Sequence, residues 1–160
     1  MHKLFLFAVL ISLAMVLPAC GDGPAPLDLK FTSVDGQSID LSKMRGKVVL
    51  VDFWATWCPP CRGEVPNVVA AYQKYHDKGF EIIGISLDED KDTLAGFIKE
   101  KEMTWPQYYD GKQWQNKMAL KYGVTQIPST YLLGKDGKII AKQLRGEELD
   151  SAVAKALNAN

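Results

Sequence analysis

The residues best suited to chemistry in this 160-residue chain are Cys58 and Cys61, held in the run Trp57-Cys58-Pro59-Pro60-Cys61. A thiolate can attack a disulfide sulfur to form a mixed disulfide. A second thiol close by can then attack that intermediate and release the partner's reduced thiol. Spacing alone does not single out this use. A C-x-x-C pair can be half of a structural zinc site, but such sites want four ligands and the rest of the domain adds only His76. Haem attachment would need His directly after the second cysteine, where Arg62 stands. A position at the start of a helix favours redox use, because unpaired backbone N–H groups and the positive end of the helix dipole weaken the hold of the first cysteine on its proton. On that reading Cys58 is the nucleophile and Cys61, one turn further in, is the resolving thiol. Pro59 and Pro60 lack N–H groups and have fixed φ, which suits a first helical turn and restricts the loop.

Two acids stand near the pair. Asp52 lies in the apolar run Val48-Val49-Leu50-Val51-Asp52-Phe53-Trp54-Ala55. An ionised carboxylate is costly there, so its pKa should rise. Glu64 follows Cys61 by one helical turn and can share its face; a solvated helix carboxylate is the plain alternative. Trp54 and Trp57 divide between core packing and client contact, and Trp57 is the better contact residue because it leaves the strand beside the thiol.

The elements that must position these groups follow from periodicity. The run from Val48 to Ala55 predicts a central strand buried on both faces. Val65, Val68, Val69, Tyr72 and Tyr75 recur at three- and four-residue steps, predicting a one-face-buried helix that stops near Lys78-Gly79. Phe80 to Leu87 predicts a second buried strand, so the three make a right-handed βαβ unit with a parallel core and the class is α/β. Upstream, Leu29–Thr32 and Gln37–Leu41 flank Asp35-Gly36 as an opening hairpin. Downstream, Leu94, Phe97 and Ile98 mark a helix, Thr104–Tyr109 a short stretch and Trp114–Tyr122 a further helix. Ser129–Leu133 and Lys138–Gln143 surround a Lys135-Asp136-Gly137 turn, and Leu149, Val153 and Leu157 mark a last helix. The order is hairpin, βαβ, helical insertion, hairpin, helix.

Composition fits one domain, since 47% hydrophobic residues in a chain of this length fill one core. The 19 basic and 19 acidic residues cancel without a basic stripe, which excludes nucleic acid as the expected partner. Residues 1–19 carry Lys3 and then an apolar run from Leu4 to Leu17, too short to span a bilayer and matched to a signal peptide. Gly21 to Pro26 reads as a flexible tether, and the folded domain covers 27–160.

Several of these stretches resemble known proteins. Val51 through Cys61 closely resembles the thioredoxin superfamily, and especially its exported TlpA/ResA-like branch of thiol-disulfide oxidoreductases. Pro66 matches the proline that bends the active-site helix, and Ile127-Pro128 matches the cis-proline loop. The resemblance implies a thioredoxin-like fold with a central mixed sheet flanked by helices, an added N-terminal hairpin and a helical insertion before that loop. It implies that Trp57, Pro59, Pro60, Ile127 and Pro128 bind the client, with the Ile127 backbone open to strand-like pairing. Asp52 resembles the buried aspartate of thioredoxin that assists deprotonation of the second cysteine, although much of the TlpA/ResA-like branch has a non-acidic residue there. Glu64 matches a glutamate linked to thiol acidity in ResA-like proteins. No metal and no cofactor beyond the Cys58–Cys61 redox disulfide is implied. The implied activity is reduction of disulfides in exported proteins, with apocytochrome c as one client, a membrane thiol carrier as reductant, and a monomeric protein.

Leu17-Pro18-Ala19-Cys20 resembles the lipobox of bacterial lipoproteins, with Pro18 as a departure from it. Cys20 is then lipidated and holds the protein to a membrane of the bacterial envelope, outside the cytoplasm. The alternative is a soluble periplasmic protein whose leader is discarded with Cys20. Two other functions compete. Peroxiredoxins share the general fold but place threonine three positions before their reactive cysteine, where this chain has Ala55 and carries Thr56 one residue later. A non-catalytic binding module would keep the cysteines without redox cycling.

Overall fold

The computed structural model describes residues 27–159, so the leader expected over 1–19 and the Cys20 site and tether expected over 20–26 lie outside the described residues. Strands β1 (Lys30–Thr32) and β2 (Ser38–Asp40) form the opening antiparallel hairpin, with Phe31 opposite Ile39. Its turn is wider than a two-residue Asp-Gly turn. Ser33 through Gln37 close it, with the Ser33 hydroxyl donating to Asp35 and the Gln37 N–H donating back to Ser33 Oγ at 2.9 Å.

The apolar run becomes β3 (Val48–Trp54), and all seven of its residues are buried. Helix α1 (Pro59–Tyr75) follows, then β4 (Phe80–Ser86), α2 (Lys91–Glu100), β5 (Gln107–Tyr108), α3 (Lys117–Lys121), β6 (Ser129–Leu133), β7 (Ile139–Lys142) and α4 (Gly146–Asn158). The five-stranded sheet runs β5-β4-β3-β6-β7. It is parallel from β3 to β5 and antiparallel from β3 to β7, the mixed sheet that the resemblance implied. The opening hairpin makes a separate small sheet, tied to β5 by a 2.9 Å bond from Val34 N to Gln107 O.

Two successive right-handed crossovers in the same direction put α1 and α2 on one face of the sheet. They leave a groove of about 730 Å³ between them, lined by Val69, Tyr72, Ile98, Met103 and Trp105 among others. Val69 and Tyr72 are therefore only half-buried, although their spacing assigned them to the core face; the buried stripe of α1 is Cys61, Val65, Val68, Ala71 and Tyr75. Helix α4 packs against α1 and buries Leu149, Val153 and Ala156.

The insertion differs most from its sequence pattern. It contributes the edge strand β5 as well as helix, and the single helix expected over Trp114–Tyr122 is broken in two. A 3-10 turn at Gln113–Gln115 precedes α3, and buried Asn116 makes the break. The Asn116 carbonyl oxygen accepts from Met118 N at 2.9 Å and Ala119 N at 3.1 Å, which caps α3, while its amide donates to Ser86 O at 3.0 Å. Tertiary bonding to the end of β4 thus fixes a helix start where periodicity showed none.

Inside the sheet, Gly84 of β4 makes room for a polar side chain. Gln107 lies against it and accepts from Trp54 Nε1 at 3.0 Å, and a Cβ on residue 84 would overlap the Gln107 amide. Gly84→Ala should therefore cost about 1–3 kcal/mol of stability, read as a lower urea midpoint. The loss should shrink when Gln107 is also Ala; an undiminished loss would place the strain elsewhere.

Candidate dithiol active site

The loop from β3 into α1 is held from below by Asp88. This carboxylate, only 2% exposed as a residue, accepts from Thr56 N at 3.0 Å, from the Thr56 hydroxyl at 2.6 Å and from the Ser86 hydroxyl at 2.8 Å. Trp57 Nε1 donates to Leu87 O at 3.2 Å, and Cys58 N to Ala55 O at 3.2 Å. These bonds deliver Cys58 to the N-cap of α1, with Pro59 and Pro60 at the first helical positions where their missing N–H groups leave no bond unmade. Cys61 N donates to Cys58 Sγ at 3.2 Å. The two cysteines are joined by a disulfide, with Cα atoms 5.3 Å apart, and both residues are buried in this state. On reduction, the same N–H and the helix start would favour a thiolate on Cys58.

The peptide Ile127-Pro128 is cis, as the resemblance implied, and the Ile127 carbonyl oxygen lies 3.8 Å from Cys58 Sγ. Pro128 leads directly into β6. Its carbonyl accepts from Arg145 Nη2, while Nη1 of the same guanidinium reaches Leu144 O at 3.2 Å. Around the sulfurs, Pro59 and Pro60 are exposed and Ile127 is half-buried. Trp57, 44% exposed, meets Trp114, 39% exposed, with ring centroids 6.1 Å apart. The rim of the site is thus apolar and largely aromatic.

Asp52 sits behind this rim on β3, opposite Gly84 of β4 and Thr130 of β6. It is 8% exposed, and its Oδ1 is buried without a hydrogen-bond partner. Burial pushes its pKa up to about 7; the positive charge of Arg145 opposes that rise and the negative charge of Glu64 adds to it. Glu64 is half-buried on α1. Its Oε2 accepts from Gly146 N at 2.9 Å, at the start of α4, and from Asn67 Nδ2 at 3.1 Å, one turn along α1. Arg145, the N-cap residue of α4, makes no side-chain cap bond. A carboxylate from α1 supplies the missing acceptor and complements the dipole of α4.

The structure therefore brings Cys58, Cys61, Trp57, Pro59, Pro60, Ile127 and Pro128 to one rim, with Asp52 beneath. Cys20 lies outside the described residues. Three further residues of the site were not singled out in the sequence. Asp88 had a weak signal, a carboxylate directly after a buried strand. Arg145, directly before Gly146 and the acidic pair Glu147-Glu148, reads locally as an ordinary charged residue at a helix start. Trp114 was absorbed into an expected helix. Among the described residues, no three His, Cys, Asp or Glu side chains gather as metal ligands, and no helix is long and apolar enough to cross a membrane.

Comparison with known proteins agrees with this geometry. The Redoxin family matches over residues 21–159. The chain is 36% identical over 117 residues to the thiol-disulfide oxidoreductase ResA of Bacillus thuringiensis subsp. konkukian, an alignment covering 73% of this chain and 65% of that protein. It is 30% identical over 124 residues to ResA of Bacillus subtilis (strain 168), covering 78% of this chain and 67% of that one. The chain thus spans about two thirds of the length of these curated relatives. Among solved structures, the thioredoxin domain of a thiol-disulfide oxidoreductase from Bacteroides vulgatus matches with a TM-score of 0.76 at 34% identity, covering 85% of this chain and 97% of that one. The chain belongs to the Redoxin family and is similar to the proteins named ResA.

Proposed function

We propose that this protein is a thiol-disulfide oxidoreductase that reduces disulfides in exported proteins, apocytochrome c being one client. The observation that carries the reading is the Cys58–Cys61 disulfide at the N-terminus of α1, facing the Ile127-Pro128 loop. In the reduced protein, the Cys58 thiolate attacks one sulfur of a client disulfide, forming a mixed disulfide and expelling the other client sulfur as a thiolate. The Cys61 thiolate, its proton taken by Asp52, then attacks Cys58 Sγ and expels the second client thiolate. The client gains two electrons and the protein returns to its disulfide. A membrane thiol carrier restores the dithiol. The Ile127 backbone pairs with the extended client segment, and Trp57, Pro59, Pro60 and Pro128 shape its seat.

We place the protein in the bacterial envelope outside the cytoplasm, exported by residues 1–19 and anchored by lipid on Cys20. A peroxidase reading has less support, because the Thr56 hydroxyl is committed to Asp88 at 2.6 Å. The test is Cys61→Ser protein expressed with its own leader. Without a resolving thiol, exported proteins with paired cysteines should accumulate as mixed disulfides on Cys58; recovery of the variant with no protein partner would contradict the reading. Mass spectrometry of the mature N-terminus checks the anchor, with a diacylglyceryl mass on Cys20 expected and an unmodified terminus elsewhere rejecting it.

A further inference from the structure

We infer that Arg145 is a positioning residue for the exchange reaction, holding the client-docking loop at Pro128 and the proton acceptor Asp52 in register through one cation; this rests on the dithiol reading above. Three elements meet at the short link between β7 and α4. The Arg145 guanidinium donates to Pro128 O in the docking loop and to Leu144 O in its own link. Leu144 N donates at 2.8 Å to Thr130 Oγ1, on the β6 residue that lies opposite Asp52. Gly146 N donates to Glu64 of α1 at 2.9 Å. The link therefore bonds the docking loop, the strand beside Asp52 and the active-site helix in three consecutive residues.

Asp52 is the charge most affected. Its β4 neighbour Gly84 and β6 neighbour Thr130 carry no charge, so the charged groups acting on it are Arg145 from the link and Glu64 from α1, with opposite signs. Arg145 is thus the cation that favours ionised Asp52, against burial and the negative charge of Glu64. Ionised Asp52 is the form that can take the Cys61 proton. The same guanidinium fixes the carbonyl of the loop on which the client docks, and its planar fork suits two carbonyls in a way an ammonium cannot reproduce. Arg145 touches neither the sulfurs nor, by this geometry, the client. It acts through Asp52 and through Pro128.

The two effects separate with Arg145→Met, which removes the charge and the fork, and Arg145→Lys, which keeps the charge and loses the fork. Titration of the ¹³C-labelled Asp52 carboxyl by NMR in the oxidised protein should give a midpoint near 7 in the wild type. Arg145→Met should raise it by about one pH unit, and Arg145→Lys should hold it within about 0.3 unit. With insulin as the probe disulfide, both variants should raise KM about five-fold, since each loses the bidentate tie, with kcat unchanged at a pH above both midpoints. A midpoint in Arg145→Met equal to wild type, or an unchanged KM in both variants, would overturn the assignment. Failure of the wild-type protein to reduce insulin would instead reject the dithiol reading, and it would leave the Asp52 titration unaffected.

Discussion

Cys58→Ser protein should reduce protein disulfides at least about 10³-fold more slowly than wild type, while each Cys61→Ser molecule should react once, form a mixed disulfide and stop. The asymmetry comes from position rather than from residue type. Cys58 is the N-cap of α1, its Sγ accepts the Cys61 N–H at 3.2 Å and lies 3.8 Å from the Ile127 carbonyl, so it occupies the point where a docked disulfide would meet both the helix start and the cis-proline loop. Serine there has a hydroxyl that stays protonated at neutral pH, and no mixed disulfide can form on oxygen. A 10³-fold loss corresponds to about 4 kcal/mol of transition-state stabilisation. Cys61 lies inside the first turn and is needed only after that bond exists. Turnover of insulin with dithiothreitol as reductant reads Cys58→Ser, and pre-reduced Cys61→Ser freed of small thiols and mixed with excess insulin reads the single reaction as one mixed disulfide per protein molecule. Turnover by Cys58→Ser comparable to wild type, or insulin released as free thiols by Cys61→Ser without an added thiol, would contradict the assignment of the two thiols.

Asp52→Asn should stabilise the oxidised protein at pH 8 by about 2–4 kcal/mol and by little at pH 4. The sign follows from the direction of the shift. Asp52 is pushed up to about 7 in the folded protein, whereas an unfolded chain holds an aspartate near its ordinary value of 3.8. Between those values the folded state binds the proton that the unfolded state has released, so stability falls as pH rises through the window. The penalty is complete above about pH 7 and absent below about 3.8. A shift of about three pH units corresponds to about 4 kcal/mol, which sets the upper end. Asparagine has nearly the same shape and no charge, so it removes the penalty where wild type is ionised and changes little where wild type is protonated. Urea unfolding at the two pH values checks this. Equal gains at pH 4 and pH 8 would point to packing instead of charge. The same substitution removes the proton acceptor for Cys61 and should slow resolution at neutral pH, so this position trades stability for function.

The parts of the fold governed by burial on a regular period were legible before the structure. The short, β-branched and aromatic run from Val48 to Trp54 suits an interior strand, and the glycine turns and helix-start prolines punctuate the elements around it. Asp52 could be found because it breaks that run. Readings that depended on a distant partner fared differently. Glu64 stands one turn from Cys61 in sequence, yet its carboxylate bonds Gly146 N, 82 residues away. Asn116 breaks a helix because Ser86 O receives its amide, a contact that no local pattern encodes. Val69 and Tyr72 keep the period of a buried stripe but face the groove beside α2. Arg145 and Asp88 act through backbone carbonyls and amides of other segments, and neither residue type advertises such bonds.

Transfer of two electrons from the Cys58–Cys61 pair to a client disulfide can be read by counting thiols by mass spectrometry: the fully reduced protein, freed of small reductant, is mixed with excess insulin, quenched in acid and alkylated. Cys58 and Cys61 should both become resistant to alkylation while one insulin disulfide gains two labelled thiols for each protein molecule oxidised. Insulin disulfides left intact, or reduced while both cysteines stay free, would contradict it.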